Sequence, residues 1–467
     1  MTDQRPAEGT GGRRAWLGAA AGLLGLAGAA VAWGPGLFRG QARGGEVDPV
    51  ARFLLAVALV LLVCHVFGEL LRRWGQPPVL GEILGGLLLG PSALGLVWPA
   101  ASGWLFRPDV LVHLDRAAQL GLVIFMFLLG CELRTDQLRG GQLRGARVLG
   151  LVVVGSMGLP LLAGIGFGLL SVGLLGGSGA SASPVSFALF LGLALAITAL
   201  PVLARILVDL RLDGTPTGVT ALSAAAVGDG VAWTVLAVIL AATGRTGTSA
   251  VATTAGLAVA LVLFVALCVR PALAALDRYV SRRAGTEQLL LIALVVGAIG
   301  FSAITDLIGL HPVIGAFLFG VAAPRRSPVV AQIGRKIQGF TLAILLPLFF
   351  GGVGLKTSIG LLGAHLTHWL VFAAILLIAI TTKILGAGGG ARLAGLPGRD
   401  ALHIGILMNC RGITELVVAT IGLQYGLINT LGFTILVLVA VITTAATGPL
   451  MRVFARREQP SPSLIPA

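Results

Sequence analysis

One carboxylate stands in the middle of a long apolar run. Asp229 lies within the stretch 217–244, flanked by Gly228 and Gly230, and is the only ionisable residue of that stretch. A carboxylate in hydrocarbon is costly, so such a residue usually faces a cavity or a partner and is functional by default. Burial favours the protonated form of a carboxyl group, whereas the ionised form attracts a cation. We therefore predict that Asp229 holds either a proton or a cation; a purely structural hydrogen-bonding role is the alternative.

Three further charges lie deep in apolar sequence. Lys383 is nine residues from Arg392, too far from the run's end for its ammonium to reach the surface easily. We expect it to meet a carboxylate or the carboxyl end of a broken helix, with a snorkelling lysine as the alternative. Arg411 and Glu415 are four residues apart, the spacing of an ion pair within one helix turn. A local structural pair is the favoured interpretation of these two, and ion binding is the other.

Other charged residues lie nearer the ends of apolar runs. Glu132 follows Gly130 and Cys131 where an apolar run ends, and it could attract cations at the entrance of a pathway or simply be solvated. Glu82 and Asp306 are weaker candidates for ion binding, and Lys356 is expected at the membrane interface. The six histidines do not show metal-ligand spacing.

Two of the apolar runs contain residues that break helices near their middle. The first break falls in 197–203, which includes Thr198 and Pro201, and the second in 408–416, which includes Gly412. Proline removes a backbone donor and clashes with the preceding turn, while glycine lowers the cost of non-helical angles. Interrupted helices at matching places in two halves of a membrane protein indicate a binding site near the bilayer midplane. An ordinary proline kink or packing glycine is the alternative for either run alone.

The composition indicates that these residues lie in a membrane protein. The chain has 467 residues, of which 56% are hydrophobic and 11% charged, and its mean hydropathy is +0.97. Such a chain cannot cover itself with polar surface, which excludes a soluble enzyme and a disordered protein. The net charge of +14 does not indicate nucleic-acid binding, because the basic residues are spread between apolar runs. We find no nucleophile–base set, phosphate loop or metal cluster, so neither an enzyme nor a cofactor is expected.

Fourteen apolar runs are long enough, or nearly so, to cross a bilayer. The first, 15–34, is either an extra uncleaved helix, which we favour, or a signal peptide cleaved after 30–32. The other thirteen form the core: 51–73, 76–97, 117–133, 147–173, 186–210, 217–244, 249–275, 286–308, 310–324, 335–363, 368–391, 398–426 and 429–452. The run 310–324 is short and could be a tilted or re-entrant piece.

Basic residues are concentrated in the loops that follow odd-numbered core runs, whereas the loops after even-numbered runs carry few beyond Arg107, Arg116 and Arg245. The positive-inside rule then predicts a multi-pass protein of the cell membrane with its carboxyl terminus in the cytoplasm.

Thirteen core helices divide as six, one and six, and the odd linker helix inverts the second set. The predicted organisation is an N-terminal tail with the extra segment (1–50), a transmembrane domain (51–452) and a short cytoplasmic tail (453–467). The domain comprises a repeat at 51–244, a linker helix at 249–275 and a second repeat at 286–452. This inverted repeat is inferred from helix count and charge alternation, not from internal sequence similarity.

Seven stretches, in order, resemble the monovalent cation:proton antiporter family that includes Kef-type potassium efflux systems and plant cation/proton exchangers. They are 76–86 with 89–92, 198–205, 223–233, 309–311 with 315–318, 346–350 with 354–355, 383–386 and 408–417. The resemblance covers about residues 51 to 452. It implies an all-α membrane fold with two crossed discontinuous helices, a homodimer, and exchange of Na⁺ or K⁺ for protons across the lipid bilayer.

The same resemblance assigns roles to individual residues. It places Asp229 as the transported-ion carboxylate, Thr198 in the first unwound helix and Lys383 as the basic residue of the eleventh helix. Arg411 and Glu415 match the second unwound helix.

This sequence also departs from the family's pattern in two ways. The family usually has Asn or Asp before the key aspartate, whereas this chain has Gly228, which favours one-for-one exchange. The short polar tail indicates that the family's soluble regulatory domains are absent.

The main hypothesis from sequence is thus an antiporter working by alternating access. A passive cation channel and an organic-anion symporter on a similar scaffold are the alternatives, and a non-transporting sensor is a more remote one. A channel would need a continuous polar pore lining, whereas this sequence offers isolated buried charges.

Overall fold

The computed structural model describes residues 48–455, apart from 133–142, 178–182, 211, 213–214, 243–255, 258, 283–286, 309–310, 325–326 and 364. The extra apolar segment 15–34 and most of the tail 453–467 lie outside the described residues. Within them, ten helices are long and apolar enough to cross a membrane, and three shorter apolar helices accompany them.

Thirteen membrane helices, two of them in halves, can be followed through the described residues. They are α1 (Pro49–Arg73), α2 (Pro78–Leu89), α3 (Pro108–Glu132), α4 (Leu143–Leu175), α5a (Pro184–Ala196), α5b (Leu200–Asp209), α6 (Pro216–Ala242), α7 (Val259–Ser281), α8 (Glu287–Leu307), α9 (Pro312–Ala322), α10 (Pro328–Phe340 and Leu346–Lys356, joined by the π-helical turn Thr341–Leu345), α11 (Leu366–Leu393), α12a (Gly398–Met408), α12b (Ile413–Gln424) and α13 (Thr430–Ala455). The all-α polytopic fold predicted from the sequence is confirmed.

Several predicted bounds were wrong where charges lie inside a helix. The run predicted at 117–133 begins at Pro108, because Asp115 does not end the helix but pairs with Lys356 of α10, with 2.6 Å between Oδ2 and Nζ. The linker helix α7 ends at Ser281 rather than 275, since its last turns are amphipathic and not apolar throughout. Helix α10 lies at 328–356 instead of 335–363. The short run near 310–324 forms an ordinary helix of 11 residues.

The helices form two bundles that contact each other sparsely among the described residues. Helices α4–α6 pack with α11–α13, α1–α3 pack with α8–α10, and the packing between the bundles is mainly α10 against α13. One hydrogen bond that joins them runs from Gln76 Nε2 to the carbonyl oxygen of Ala445, at 3.2 Å. That carbonyl lacks its usual partner because Pro449, four residues on, has no N–H. We call α4–α6 with α11–α13 the site bundle, since it contains Asp229.

Helix pairs recur in the two halves of the chain. The contact of α1 with α2 recurs as α8 with α9, that of α3 with α9 as α10 with α2, and that of α4 with α5a as α11 with α12a. Individual close approaches match as well. A Cβ on Gly81 would lie 2.3 Å from the Phe67 carbonyl oxygen, and one on Gly315 would lie 2.1 Å from that of Phe301. This is the pairing that two repeats related by a two-fold axis produce.

The matched contacts reveal an internal sequence similarity that the sequence analysis missed. The stretch 78–86 reads Pro-Val-Leu-Gly-Glu-Ile-Leu-Gly-Gly, and 312–320 reads Pro-Val-Ile-Gly-Ala-Phe-Leu-Phe-Gly. Five of these nine positions are identical, and each stretch begins its helix with proline in the first turn. The repeat is therefore visible in the residues as well as in the helix count.

The site bundle is built on close packing of α4 against α11, the most extensive helix contact in the described residues. Gly386 and Gly390 of α11 are four residues apart and approach Gly155 and Leu151 of α4. Small residues at this spacing let two helix backbones come close together in a membrane. The contact fixes α11 beside the broken helices, and so it positions Lys383.

Candidate functional site

The two broken helices meet at their breaks, as predicted. Helix α5a ends at Ala196 and α5b begins at Leu200, while α12a ends at Met408 and α12b begins at Ile413. Pro201 has no N–H to offer the carbonyl of residue 197, so the helical pattern fails there. The extended segments then bond each other. The Thr198 hydroxyl donates to the Met408 carbonyl at 2.9 Å, and the Ala199 N–H donates to that of Cys410 at 3.1 Å.

Two buried cations bind the carboxyl end of α5a. Lys383 Nζ donates to the Ala196 carbonyl and, at 2.7 Å, to the Thr198 hydroxyl. Arg411 donates to the carbonyls of Ala194 and Leu195, at 3.1 and 2.7 Å. Positive charge at the carboxyl end of a helix is favourable, and these bonds satisfy carbonyls that the break leaves without partners. Lys383 is fully buried, so the snorkelling alternative is wrong and the broken-helix alternative is confirmed.

Arg411 also pairs with Glu415, the residue one turn further along. The two atoms Nη1 and Oε1 are 2.7 Å apart, and both side chains are fully buried. The second carboxylate oxygen of Glu415 has no hydrogen-bond partner in the part of the chain that the structure describes. The pair bridges the break of α12 and ties it to α5a, which matches the structural interpretation of these two residues.

Asp229 lies beside the crossing on α6 and is 1% exposed. Neither of its carboxylate oxygens accepts a hydrogen bond from a described protein group. Near it lie the Leu200 backbone N–H, the Thr414 hydroxyl and the charge of Lys383. Leu200 begins α5b and Thr414 lies in the first turn of α12b, so the positive ends of two helix dipoles face the carboxylate. This arrangement stabilises a negative charge without occupying its oxygens.

The predicted site residues therefore separate into two groups. Asp229, Thr198, Lys383, Arg411 and Glu415 come together at the crossing. Glu132 does not: it is the last residue of α3, in the other bundle, and adjoins residues 133–142, which the structure does not describe. Glu82 and Asp306 lie on α2 and α8, also in the other bundle.

Two buried polar residues at the crossing were missed by the sequence analysis. Asn409 Oδ1 and Thr414 Oγ1 are buried and have no hydrogen-bond partner among the described residues. Asn409 is 3% exposed and Thr414 is 1% exposed. Both lie in the run 408–416, which was noted for its break and its charges. Polar residues on either side of Gly412 were the available signal.

A cleft between the two bundles approaches this crossing. It is lined by residues of the α1–α2 loop, α5b and α13, including Gln76, Ile206, Leu210, Thr444 and Arg452. The Thr444 hydroxyl donates to the Arg411 carbonyl and accepts from the Arg411 N–H at 3.1 Å. The cleft thus ends at a residue that holds the backbone of the second break.

A structural comparison supports the fold. The sodium proton antiporter MjNhaP1 from Methanocaldococcus jannaschii superposes with a TM-score of 0.62, over 87% of this chain and 97% of that protein, at 15% sequence identity. At this identity the likeness concerns the fold alone.

Sequence comparisons give closer relatives. Cation/H(+) antiporter 19 from Arabidopsis thaliana is 35% identical over 402 residues, which are 85% of this chain and 49% of the plant protein. Na(+)/H(+) antiporter NhaS4 from Synechocystis is 35% identical over 412 residues, 87% of this chain and 98% of that protein. K(+)/H(+) antiporter 1 from Saccharomyces cerevisiae is 31% identical over 413 residues, 86% of this chain and 46% of the yeast protein. The chain thus spans about half the length of the plant and yeast relatives and nearly all of the cyanobacterial one.

The family model described as "Sodium/hydrogen exchanger, transmembrane" matches residues 55–456, which include both broken helices, Asp229 and Lys383. The match covers most of the chain and agrees with the relatives and the fold. The chain belongs to the sodium/hydrogen exchanger family.

Proposed function

We propose that this protein is a secondary active antiporter that exchanges a monovalent cation, Na⁺ or K⁺, for protons by alternating access. The observation that carries the proposal is the Asp229 carboxylate, buried at the crossing with neither oxygen in a formed hydrogen bond to the described residues. Relatives named as Na(+)/H(+) and K(+)/H(+) antiporters support the same activity. The choice between Na⁺ and K⁺ is left to experiment.

Competition for one carboxylate couples the two fluxes. Protonated Asp229 cannot bind a cation, and cation-bound Asp229 cannot hold the proton, so each ion leaves only when the other replaces it. Alternating access exposes Asp229 first to one side of the membrane and then to the other. The two ions need never be in contact.

The surrounding charges favour one-for-one exchange. The ionised crossing contains two carboxylates, Asp229 and Glu415, and two cations, Lys383 and Arg411. Replacing one proton on Asp229 by one monovalent cation leaves the total charge unchanged. Lys383 is bonded to Ala196 and Thr198, and Gly228 supplies no carboxylate next to Asp229, which supports Asp229 as the one group that exchanges its proton for the cation.

Movement of the site bundle against the other bundle is the proposed means of alternating access. The sparse contact between them supports this, and the cleft at Thr444 is the proposed aqueous route on one side. Thr198 contributes by holding the two breaks together, and Glu132 is a proposed cation entrance. A homodimer in the cell membrane, with the carboxyl terminus in the cytoplasm, completes the proposal.

The test uses purified protein in proteoliposomes that contain a pH-sensitive dye. Addition of Na⁺ or K⁺ should move protons in the wild type, and Asp229→Asn should reduce that movement to the level of protein-free vesicles. Asp306→Asn, an exposed aspartate in the other bundle, is the matched control and should keep its activity. Cation-driven proton movement that survives Asp229→Asn would contradict the mechanism. Cation conductance without proton coupling would indicate a channel instead, and measurable binding of an organic anion would indicate a symporter.

A further inference from the structure

Thr414 differs from three helical threonines of the site bundle in what its hydroxyl contacts. Thr420, Thr443 and Thr447 each donate to the carbonyl four residues earlier in their own helix, at 2.8 Å. The carbonyl four residues before Thr414 belongs to Cys410, which lies in the break outside α12b and bonds the Ala199 N–H of the other broken helix. The break therefore leaves the Thr414 hydroxyl without the carbonyl that a continuous helix would place beside it.

The Thr414 hydroxyl lies beside the Asp229 carboxylate. Thr414 is 1% exposed and its Oγ1 has no hydrogen bond among the described residues. It is the side-chain donor that faces the Asp229 carboxylate, and the contact between the two groups is too loose to form a hydrogen bond of ordinary geometry. Buried polar groups in native structures almost always have well-formed partners, so three buried oxygens joined only by a loose contact point to a ligand that lies between them.

Oxygen atoms are the ligands that hard cations prefer. A hydroxyl can donate one hydrogen bond and accept two, so it can present a lone pair to a cation or accept the proton of a neutral carboxyl group. Thr198, the hydroxyl expected from the sequence to contact the ion, is already engaged with Lys383 and Met408. Of these two hydroxyls, only that of Thr414 remains available to an ion on Asp229.

We propose that the Thr414 hydroxyl is a direct ligand of the transported cation, beside Asp229, and that it sets the affinity for that cation. The assignment rests on the proposed exchange function and goes beyond it by naming a specificity residue. When Asp229 carries a proton instead, the same hydroxyl oxygen accepts a hydrogen bond from it. Thr414 therefore contacts both competitors, but as a ligand only to the cation.

The experiment compares Thr414→Val, which keeps the shape and removes the hydroxyl, with Thr414→Ser, which keeps the hydroxyl. Thr420→Val is the matched control, on the same helix, whose hydroxyl is bonded to Leu416. Proton movement in proteoliposomes is measured against the concentration of Na⁺, K⁺ or Li⁺, and KM and maximal rate are determined separately. The folded fraction of each variant is checked by thermal unfolding in detergent.

Thr414→Val should raise the KM of the preferred cation about tenfold or more, which is about 1.4 kcal/mol of binding free energy. Its maximal rate should change less, and the ratio of KM values among the three cations should shift. Thr414→Ser should remain within about threefold of the wild type, and Thr420→Val should leave KM unchanged. If the valine variant does not fold, Thr414→Ala is measured in its place.

An unchanged KM in Thr414→Val would overturn the assignment, as would a fall in maximal rate alone with no rescue by serine. A KM rise of the same size in Thr420→Val would also overturn it, because the effect would then belong to helix packing. These failures would leave the exchange proposal standing, since wild-type exchange and its loss in Asp229→Asn are measured independently.

Discussion

The substitution Gly386→Ala adds one methyl group, which should push the helices α4 and α11 apart. An ideal Cβ built on Gly386 would lie 2.1 Å from the Gly155 carbonyl oxygen of α4 and 2.8 Å from the carbonyl carbon. A non-bonded carbon–oxygen contact needs more than 3 Å, so Gly386→Ala must push the backbones apart by about 1 Å. Neither obstructing atom belongs to a flexible side chain, and the contact therefore cannot be relieved by a rotamer change.

Over-packing of this kind costs about 1–3 kcal/mol. We expect Gly386→Ala to fall in that range, measured as a lower thermal midpoint of the purified protein in detergent. Lys383 lies one turn before Gly386 on the same helix, so the shift also moves its ammonium away from Ala196. Exchange activity should fall together with stability.

Gly389 supplies the matched control on the same helix. A Cβ there would meet nothing within 4 Å. Because alanine is a better helix former than glycine by about 1 kcal/mol, Gly389→Ala should leave the midpoint unchanged or raise it. Equal midpoints for the Gly386 and Gly389 variants would refute the argument that close backbone approach holds α4 and α11 together.

Two other predictions concern hydrogen bonds that the folded chain makes. Lys383→Met removes the bonds to Ala196 and Thr198 and should lower the free energy of unfolding by about 3 kcal/mol or more, at about 1.5–3 kcal/mol for each charge-assisted bond; a midpoint equal to that of the wild type would contradict this. Gln76→Leu should lower the free energy of unfolding by about 1 kcal/mol in the wild type. In a Pro449→Ala background it should lower it by close to nothing, because the N–H of residue 449 can then bond the Ala445 carbonyl. The four midpoints of this double-mutant cycle measure the difference, and an equal cost in both backgrounds would argue against the bond.

Much of the fold could be predicted because a membrane helix can be recognised from the apolar composition of its own segment. Apolar runs located the thirteen core helices, and Pro201 and Gly412 located the two breaks. Asp229 could be singled out because a carboxylate at that depth has few structural explanations, and the Arg411–Glu415 pair followed from its spacing along one helix. Errors in helix bounds arose where a charge lies inside a helix and is paired, as Asp115 is with Lys356.

The rest depended on contacts between residues far apart in the chain. Lys383 was expected to meet either a carboxylate or the end of a broken helix, and only the structure shows that it binds the Ala196 carbonyl of α5a. Thr414 lacks the usual hydrogen bond to the carbonyl four residues earlier because Cys410 lies in the break, where its carbonyl bonds the Ala199 N–H of the other broken helix. Thr198 was the more prominent candidate in the sequence, since it stands inside a break, yet its hydroxyl is already used. The repeat was predicted from helix count, but its residue similarity at 78–86 and 312–320 was missed because the matched stretch is short.

Part of the field that acts on Asp229 comes from the main chain, and it adds to that of the Lys383 side chain. The amino ends of α5b and α12b are fixed by the path of the backbone, and they are neither titrated by pH nor removed by replacing a side chain. Substitutions around the crossing can therefore retune how tightly each metal ion is held, while the preference for a negative charge at this spot persists. We expect variants of this pocket to differ in which alkali cation they bind best. They should still bind cations, because the backbone continues to stabilise the ionised form of Asp229.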